Sequence, residues 1–370
     1  MIKLPFVLLF TAMAALFWGV YGILLRYGTE QLGHSSLRAF VGVGIAYFLI
    51  AVLVPLGLLS RKPEKGFWSM GGTLLSLFAG TVGALGAFGV TLAVAFKGLP
   101  IYVMPIVFGG APVVNTLVTS WLNKSFSQIK PTFILGLVLV ALGAVGVLIN
   151  KPAAPTKTVI ANAESRATDE KNADQLDSVA ANPFAIGASI CLAVICWGAY
   201  GPFLHMGQMQ MGGSRLRPFC CVGIAYFIIA VAVPVMILMA TPDNVSLKSS
   251  EIVGGMMWSI LAGGAGALGA LGIILAFNYG GKPIFVMPLV FGFAPVINTL
   301  TAMGMGGSLD RISTYFIGSL MLGISGAVTV LVFAPKTKPH GAPAASPKPQ
   351  PTLPTPKPVE SESLDSSTGA

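Results

Sequence analysis

Two Asn-Thr pairs, Asn115-Thr116 and Asn298-Thr299, sit inside segments that are otherwise almost wholly apolar. A side-chain amide offers two donors and an acceptor, and a hydroxyl offers one donor with its lone pairs. In a bilayer such groups either bond a neighbouring helix or line a polar path. The pairs close two near-copies of one phrase. Residues 100–117 read PIYVMPIVFGGAPVVNTL and residues 283–300 read PIFVMPLVFGFAPVINTL, identical at fourteen of eighteen positions. Each copy carries matching helix-weakening positions: Pro105, Gly109 and Pro112 in one, Pro288, Gly292 and Pro295 in the other. A proline inside a helix removes a backbone hydrogen bond and crowds the preceding turn. In a bilayer that is tolerated only where neighbours or a cavity re-satisfy the freed carbonyls. These positions are therefore expected to be helix breaks or hinges. The Asn-Thr pairs are expected either to touch a substrate or to tie helices together.

Other chemistry-bearing residues also come in matched pairs. Trp18 and Tyr21 recur as Trp197 and Tyr200, and Tyr47 recurs as Tyr226. A buried tyrosine hydroxyl needs a partner, so these rings either pack or line a cavity for a small, partly apolar molecule. Arg38 and Arg217 open matched phrases, LRAF and LRPF, at the ends of apolar runs. Such an arginine either anchors the helix end or gates an opening. Glycines recur every third residue at Gly80, Gly83, Gly86 and Gly89, and again at Gly263, Gly266, Gly269 and Gly272. Stripes of this kind let backbones approach closely. The three histidines (His34, His205 and His340) share no helix face, and no metal, nucleophile or cofactor motif is present. Cys191, Cys196, Cys220 and Cys221 lie in apolar runs and read as small buried hydrophobes. No enzyme activity and no cofactor is expected.

The elements that position these residues are long apolar runs. Hydrophobic residues make up 54% of the chain and charged residues 9%, against about 25% charged in soluble domains. A bilayer core needs about 20 apolar residues per helix. Ten runs qualify, near 5–25, 37–59, 67–96, 100–122, 132–150, 184–204, 216–240, 252–278, 283–305 and 313–334. A shift of 179 residues superimposes the first two runs on the sixth and seventh. A shift of 183 superimposes the third and fourth on the eighth and ninth. The first run recurs inside the chain, which argues for a retained helix over a cleaved signal.

Each half thus holds five runs, residues 1–150 and 184–334, joined by a hydrophilic linker at 151–183 and followed by a Pro-rich disordered tail at 335–370. An odd count sends the second half into the membrane from the opposite face. The expected fold is an all-α integral membrane protein of ten transmembrane helices, arranged as two inverted-topology five-helix repeats. The inversion depends on the count: a 67–96 run that made two spans would cancel it. Short-loop Lys and Arg number eleven on the N-terminal side and seven on the other. That bias places both termini in the cytoplasm and the chain in the cell (inner) membrane. The net charge of +9 is scattered, with no basic helix face, and excludes a nucleic-acid partner. The partners left are a small-molecule substrate and the lipid bilayer, with a homodimer left open.

AALFWGVYGILLRYG and its repeat CLAVICWGAYGPFLHMG, with SSLRAF and SRLRPF after them, carry a resemblance. They are similar to the EamA-like branch of the drug/metabolite transporter superfamily. The resemblance covers about residues 5–334. It implies an inverted-repeat carrier of small metabolites, with Trp18, Arg38, Trp197 and Arg217 on the motif positions. The WGAYGP phrase also resembles sugar-uptake relatives in that superfamily. No Asp or Glu falls within the ten runs, which argues against a carboxylate that couples transport to an ion. The expected function is a secondary transporter working by alternating access through a cavity between the repeats. Pro105–Asn115 and Pro288–Asn298 are expected to be facing walls of that cavity. The alternative is a non-transporting polytopic membrane protein, either a scaffold or a lipid-handling enzyme.

Overall fold

A computed structural model describes residues 3–33, 35–62, 64–96, 100–150, 183–240, 247–306 and 313–333. The 151–183 linker, apart from its last residue, and the 335–370 tail lie outside the described residues, as do His34 and His340. The described residues form ten helical rods: α1 Leu4–Gln31, α2 Ser36–Arg61, α3 Met70–Ala95, α4 Pro100–Leu122, α5 Pro131–Ile149, α6 Pro183–Gln210, α7 Leu216–Ala240, α8 Ser249–Asn278, α9 Pro283–Gly306 and α10 Thr314–Phe333. Among the described residues, seven helices are long and apolar enough to cross a membrane. Three shorter apolar segments, Ile106–Leu122, Pro131–Val147 and Thr314–Val330, accompany them. The 67–96 run is one helix.

Large apolar side chains such as Leu9, Leu74, Leu135, Met236 and Val328 are exposed. On a protein of this composition, exposure over so many helices fits a lipid-facing surface. Packing between rods then rests on close approach. A Cβ at Gly143 would collide with the backbone of Gly323, and one at Gly326 with that of Val140. These contacts set α5 and α10 antiparallel. The α2 and α7 pair behaves alike: Gly44 meets Ala230 and Val231, Gly223 meets Ala51 and Val52, and the Tyr47 and Tyr226 rings stack at 3.8 Å between them. In both pairs the helices, of which α2 and α7 superimpose in the sequence, lie against each other in opposite directions.

The helix breaks are not where the prolines of α4 and α9 suggested. Both helices run on through Pro105, Pro112, Pro288 and Pro295 without interruption. The side chain of Pro105 lies outside the described ones. The interruptions are π-helical turns in α2 and α7, at Phe48–Leu53 and Ile228–Ala232. Each widened turn is followed closely by a proline, Pro55 or Pro234. The Val54 and Val233 N–H groups reach back five residues, to Leu49 and Ile228. The ring of a proline clashes with the carbonyl four residues earlier, and a widened turn relieves that clash.

Candidate functional site

The glycine stripes of α3 and α8 position the tryptophans. A Cβ at Gly86 would fall on the Trp197 indole, and one at Gly269 on the Trp18 indole. Each indole N–H then donates to the carbonyl of a stripe glycine one turn away. Trp197 bonds Gly83 at 3.1 Å and Trp18 bonds Gly266 at 3.2 Å. The stripe therefore serves as a seat for a ring as well as a seam between backbones. Neighbouring glycines complete it: Gly80 lies on Val222 and Gly263 on Val43.

The tryptophans meet around Phe291. Trp18 lies 6.0 Å from its ring and Trp197 6.2 Å, with Phe108 6.0 Å from Trp197 and 6.3 Å from Phe291. Tyr200 lies 6.1 Å from Trp18. Rings from α1, α4, α6 and α9 thus form one cluster, and Trp18, Trp197 and Phe108 remain partly exposed within it. Tyr21 is partly buried against the same core. The Tyr200 hydroxyl is buried and has no hydrogen-bond partner. Phe108 and Phe291 were missed as site residues. They occupy equivalent positions in the duplicated phrase, which was the available signal, but an aromatic there reads as easily as a lipid contact.

The amides bond backbone carbonyls. Asn115, wholly buried, donates from Nδ2 to the Pro283 carbonyl at 2.9 Å. Asn298 donates from Nδ2 to the Gly19 carbonyl at 2.8 Å. Both bonds join separate helices, the tie between helices weighed above against substrate contact. The hydroxyls of Thr116 and Thr299 donate within their own helices, to Pro112 and Pro295 at 3.0 Å each. Helices α4 and α9 do touch, through Phe108 and Phe291 and through Asn115 and Pro283. The two asparagines, however, do not face one another. Gly109 lies in ordinary contact with Ala141 and Val145, whereas a Cβ at Gly292 would crowd Val140.

The arginines differ as well. Ser35 caps α2, its hydroxyl accepting the Arg38 N–H, and Ser214, just ahead of α7, accepts the Arg217 N–H in the matching place. Arg38 is half-buried. Arg217 is buried, donates to Ser214 Oγ at 3.2 Å, and lies 4.0 Å from Glu64 Oε2 and 5.9 Å from the Trp68 ring. Glu64, a loop residue not singled out from the sequence, also accepts from Ser214 Oγ, the Arg215 N–H and Nε, and the Leu216 N–H. Burial alone would raise its pKa. The hydrogen bonds from Arg215, Leu216 and Ser214 outweigh burial and hold the carboxyl below its usual range.

Glu64 belongs to a set of bonds at one end of the bundle, where residue 3, residues 64–69, residues 210–216 and residues 278–283 gather. There Lys3 N–H donates to Tyr279, Phe67 N–H to Met211, Ser69 Oγ to Gln210, Gln208 Nε2 to Ile274 and Asn278 Nδ2 to Gly213, each to a backbone carbonyl within 3.2 Å. Phe6 and Phe10 stack on Tyr279. A cavity of about 540 Å³ opens at this end between Lys3, His205, Phe277, Tyr279 and Lys282, away from the aromatic cluster. Among the described residues, no group of three His, Cys, Asp or Glu is placed to hold a metal.

No family model matches the chain, and no curated protein does. A solved structure described only as a crystal structure of a protein aligns with 89% of this chain and 97% of its own length, at a TM-score of 0.60 and 15% identity. The chain is similar to that protein in fold. At that identity the likeness extends to the fold alone.

Proposed function

We propose that the chain is a secondary transporter that carries a small organic metabolite across the cell membrane by alternating access, with two inverted five-helix repeats related to the EamA-like carriers. One observation carries this reading: matched segments of the two halves make the same contacts in the core and different contacts at the two ends. The antiparallel packing of α2 on α7 and of α5 on α10 supports the inversion. The bonds gathered around residues 64–69, 210–216 and 278–283 are those of a closed gate. At the opposite end Thr29, which matches Gln208, bonds Leu25 in its own helix, and Asp243, which matches Glu64, lies outside the described residues. In this reading the protein is closed on the face that bears its N-terminus, the cytoplasmic face by the charge bias, and the aromatic cluster faces the other side. A packed scaffold would have no need for ends that differ in this way.

Reconstitution of the purified chain into proteoliposomes, with uptake measured over a broad panel of neutral and charged metabolites, tests the proposal. Saturable flux and counterflow for at least one solute class are expected. Absence of flux over the whole panel would remove the transporter reading.

A further inference from the structure

Two equivalent asparagines hold different partners. Asn115 Nδ2 donates to the Pro283 carbonyl at 2.9 Å, and Asn298 Nδ2 to the Gly19 carbonyl at 2.8 Å. The shifts of 179 and 183 residues that superimpose the halves make Gly198 the counterpart of Gly19, and Pro100 the counterpart of Pro283. Asn115 could therefore have bonded Gly198, and Asn298 could have bonded Pro100. The helix neighbours are already in place for the first of these. Gly198 lies against Val114 and the Ala111 carbonyl, just as Gly19 lies against Ile297 and the Ala294 carbonyl. Asn115 follows Val114 directly, yet its amide reaches away from α6 to the start of α9. Its Oδ1 is buried without a partner.

Two other bonds of the closed end have no such alternative. Gln208 matches Thr29, whose shorter side chain bonds its own helix, and Asn278 matches Ala95, which has no donor. Glu64 matches Asp243, which lies outside the described residues. Among the described cross-helix bonds of that end, the asparagine bond is the one whose side-chain donor and acceptor are both duplicated unchanged.

We propose that Asn115 and Asn298 exchange partners during the transport cycle. With the α9 start closed, Asn115 holds Pro283 and Asn298 holds Gly19. In the opposite state Asn298 holds Pro100 and Asn115 holds Gly198. Each amide then keeps one hydrogen bond in both states. That matters at a buried site, where an orphaned donor opposes whichever state contains it. The same two residues tie the bundle and select the face that opens. The inference rests on the transporter reading above.

Cross-linking in membranes tests it in the full chain, with Cys191, Cys196, Cys220 and Cys221 changed to alanine. One variant carries Asn115→Cys with Pro283→Cys, a second carries Asn298→Cys with Pro100→Cys, and a third carries all four. Both pairs are expected to link, each link stopping flux and its reduction restoring it. The four-cysteine chain should form one link or the other in any molecule. Linking of 115 to 283 without any linking of 298 to 100, while flux continues, overturns the exchange and leaves the transporter reading standing. Two links in one molecule overturn it as well. Asn115→Leu and Asn298→Leu, read as flux per folded chain, give a check without cysteines at these sites. A leucine of similar size cannot donate, and one lost buried hydrogen bond in the crossing state corresponds to about a tenfold fall in rate. Flux equal to wild type in Asn298→Leu would overturn the proposal. Loss of wild-type flux, with both pairs still linking alternately, would instead overturn the transporter reading.

Discussion

The middle of the molecule and its ends follow different rules. In the middle the two halves are near-copies: Trp18 on Gly266 and Trp197 on Gly83, with bond lengths within 0.1 Å of each other (3.2 and 3.1 Å). Gly80 on Val222 and Gly263 on Val43 repeat the agreement. At the ends it fails. Glu64, Gln208 and Asn278 bond across one end, and Asn115 and Asn298 part company. On the transporter proposal, contacts kept in every state are built from glycine and a rigid ring, and contacts that break are built from amides, a carboxylate and loop carbonyls. Duplication preserves the first kind in both halves and leaves the second kind free to diverge.

The strongest way to break this contrast is to attack the shared middle. Gly86→Ala and Gly269→Ala each place a methyl on an indole that cannot step aside, because its N–H is tied to the next stripe glycine. Overpacking of a tight core costs about 1–3 kcal/mol and on occasion more. Both variants should lose much of their folded yield, and by similar amounts. Thermal unfolding of the detergent-solubilised protein measures this. A large loss for one and none for the other would show that the halves are not equivalent in the middle.

Next in size is Glu64→Ala, which acts at one end alone. It leaves the buried Arg217 without its counter-charge and frees the N–H groups of Arg215 and Leu216. Removing one partner of a buried pair costs about 3 kcal/mol. The Arg215 contact, half-exposed, adds little. Solute-accessible cysteine labelling near Ser214 should rise, while the Trp18 and Trp197 seats keep their protection. Labelling that rises equally at both places would merge the two regions into a single cooperative unit.

The middle was largely legible in the sequence. The duplication, the glycine period and the matched Trp and Tyr pairs were all present as patterns, and the ten rods follow the apolar runs to within a few residues. What could not be read was which glycine would seat which ring, because a period of three does not name a partner. Prolines misled for a related reason. Pro105, Pro112, Pro288 and Pro295 looked like breaks, yet the widened turns formed ahead of Pro55 and Pro234, where α2 and α7 cross on small residues. A proline tells that a carbonyl is freed and not how the helix absorbs the loss. Glu64 was the largest omission. A loop carboxylate carries no periodicity, and its importance comes from chain brought near it from 150 residues away.

A smaller and more selective effect comes from pH. The carboxyl of Glu64 titrates below its ordinary value of 4.5 in the folded protein. A depressed folded pKa means that its contribution to stability is complete above the unfolded value and is lost as pH falls through the folded one. Melting temperatures of wild type and Glu64→Gln should therefore differ by a constant amount at neutral pH. The difference should start to narrow as pH falls to about 4, where an unperturbed carboxylate takes up its proton, and go on narrowing as the pH falls further through the lower folded value. A gap that does not narrow at all on acidification would mean that packing, and not the charge, fastens this end.

The smallest expected effect lies where the halves differ without consequence. Gly57 in α2 has nothing within 4 Å of the place a Cβ would occupy, and its counterpart in α7 is the exposed Met236. Here the helix meets neither a ring nor a cross-helix bond, so nothing demands glycine. A glycine inside a helix costs about 0.5–1 kcal/mol relative to alanine, through the backbone freedom it loses on folding. Gly57→Ala should raise stability by about that amount and leave flux unchanged. Gly57→Met should be tolerated equally, since the opposite half already carries that side chain on its exposed surface. A fall in stability for either variant would show that this face of α2 is covered by protein, a second copy of the chain being the obvious occupant, and cross-linking of the native membrane form would then decide it.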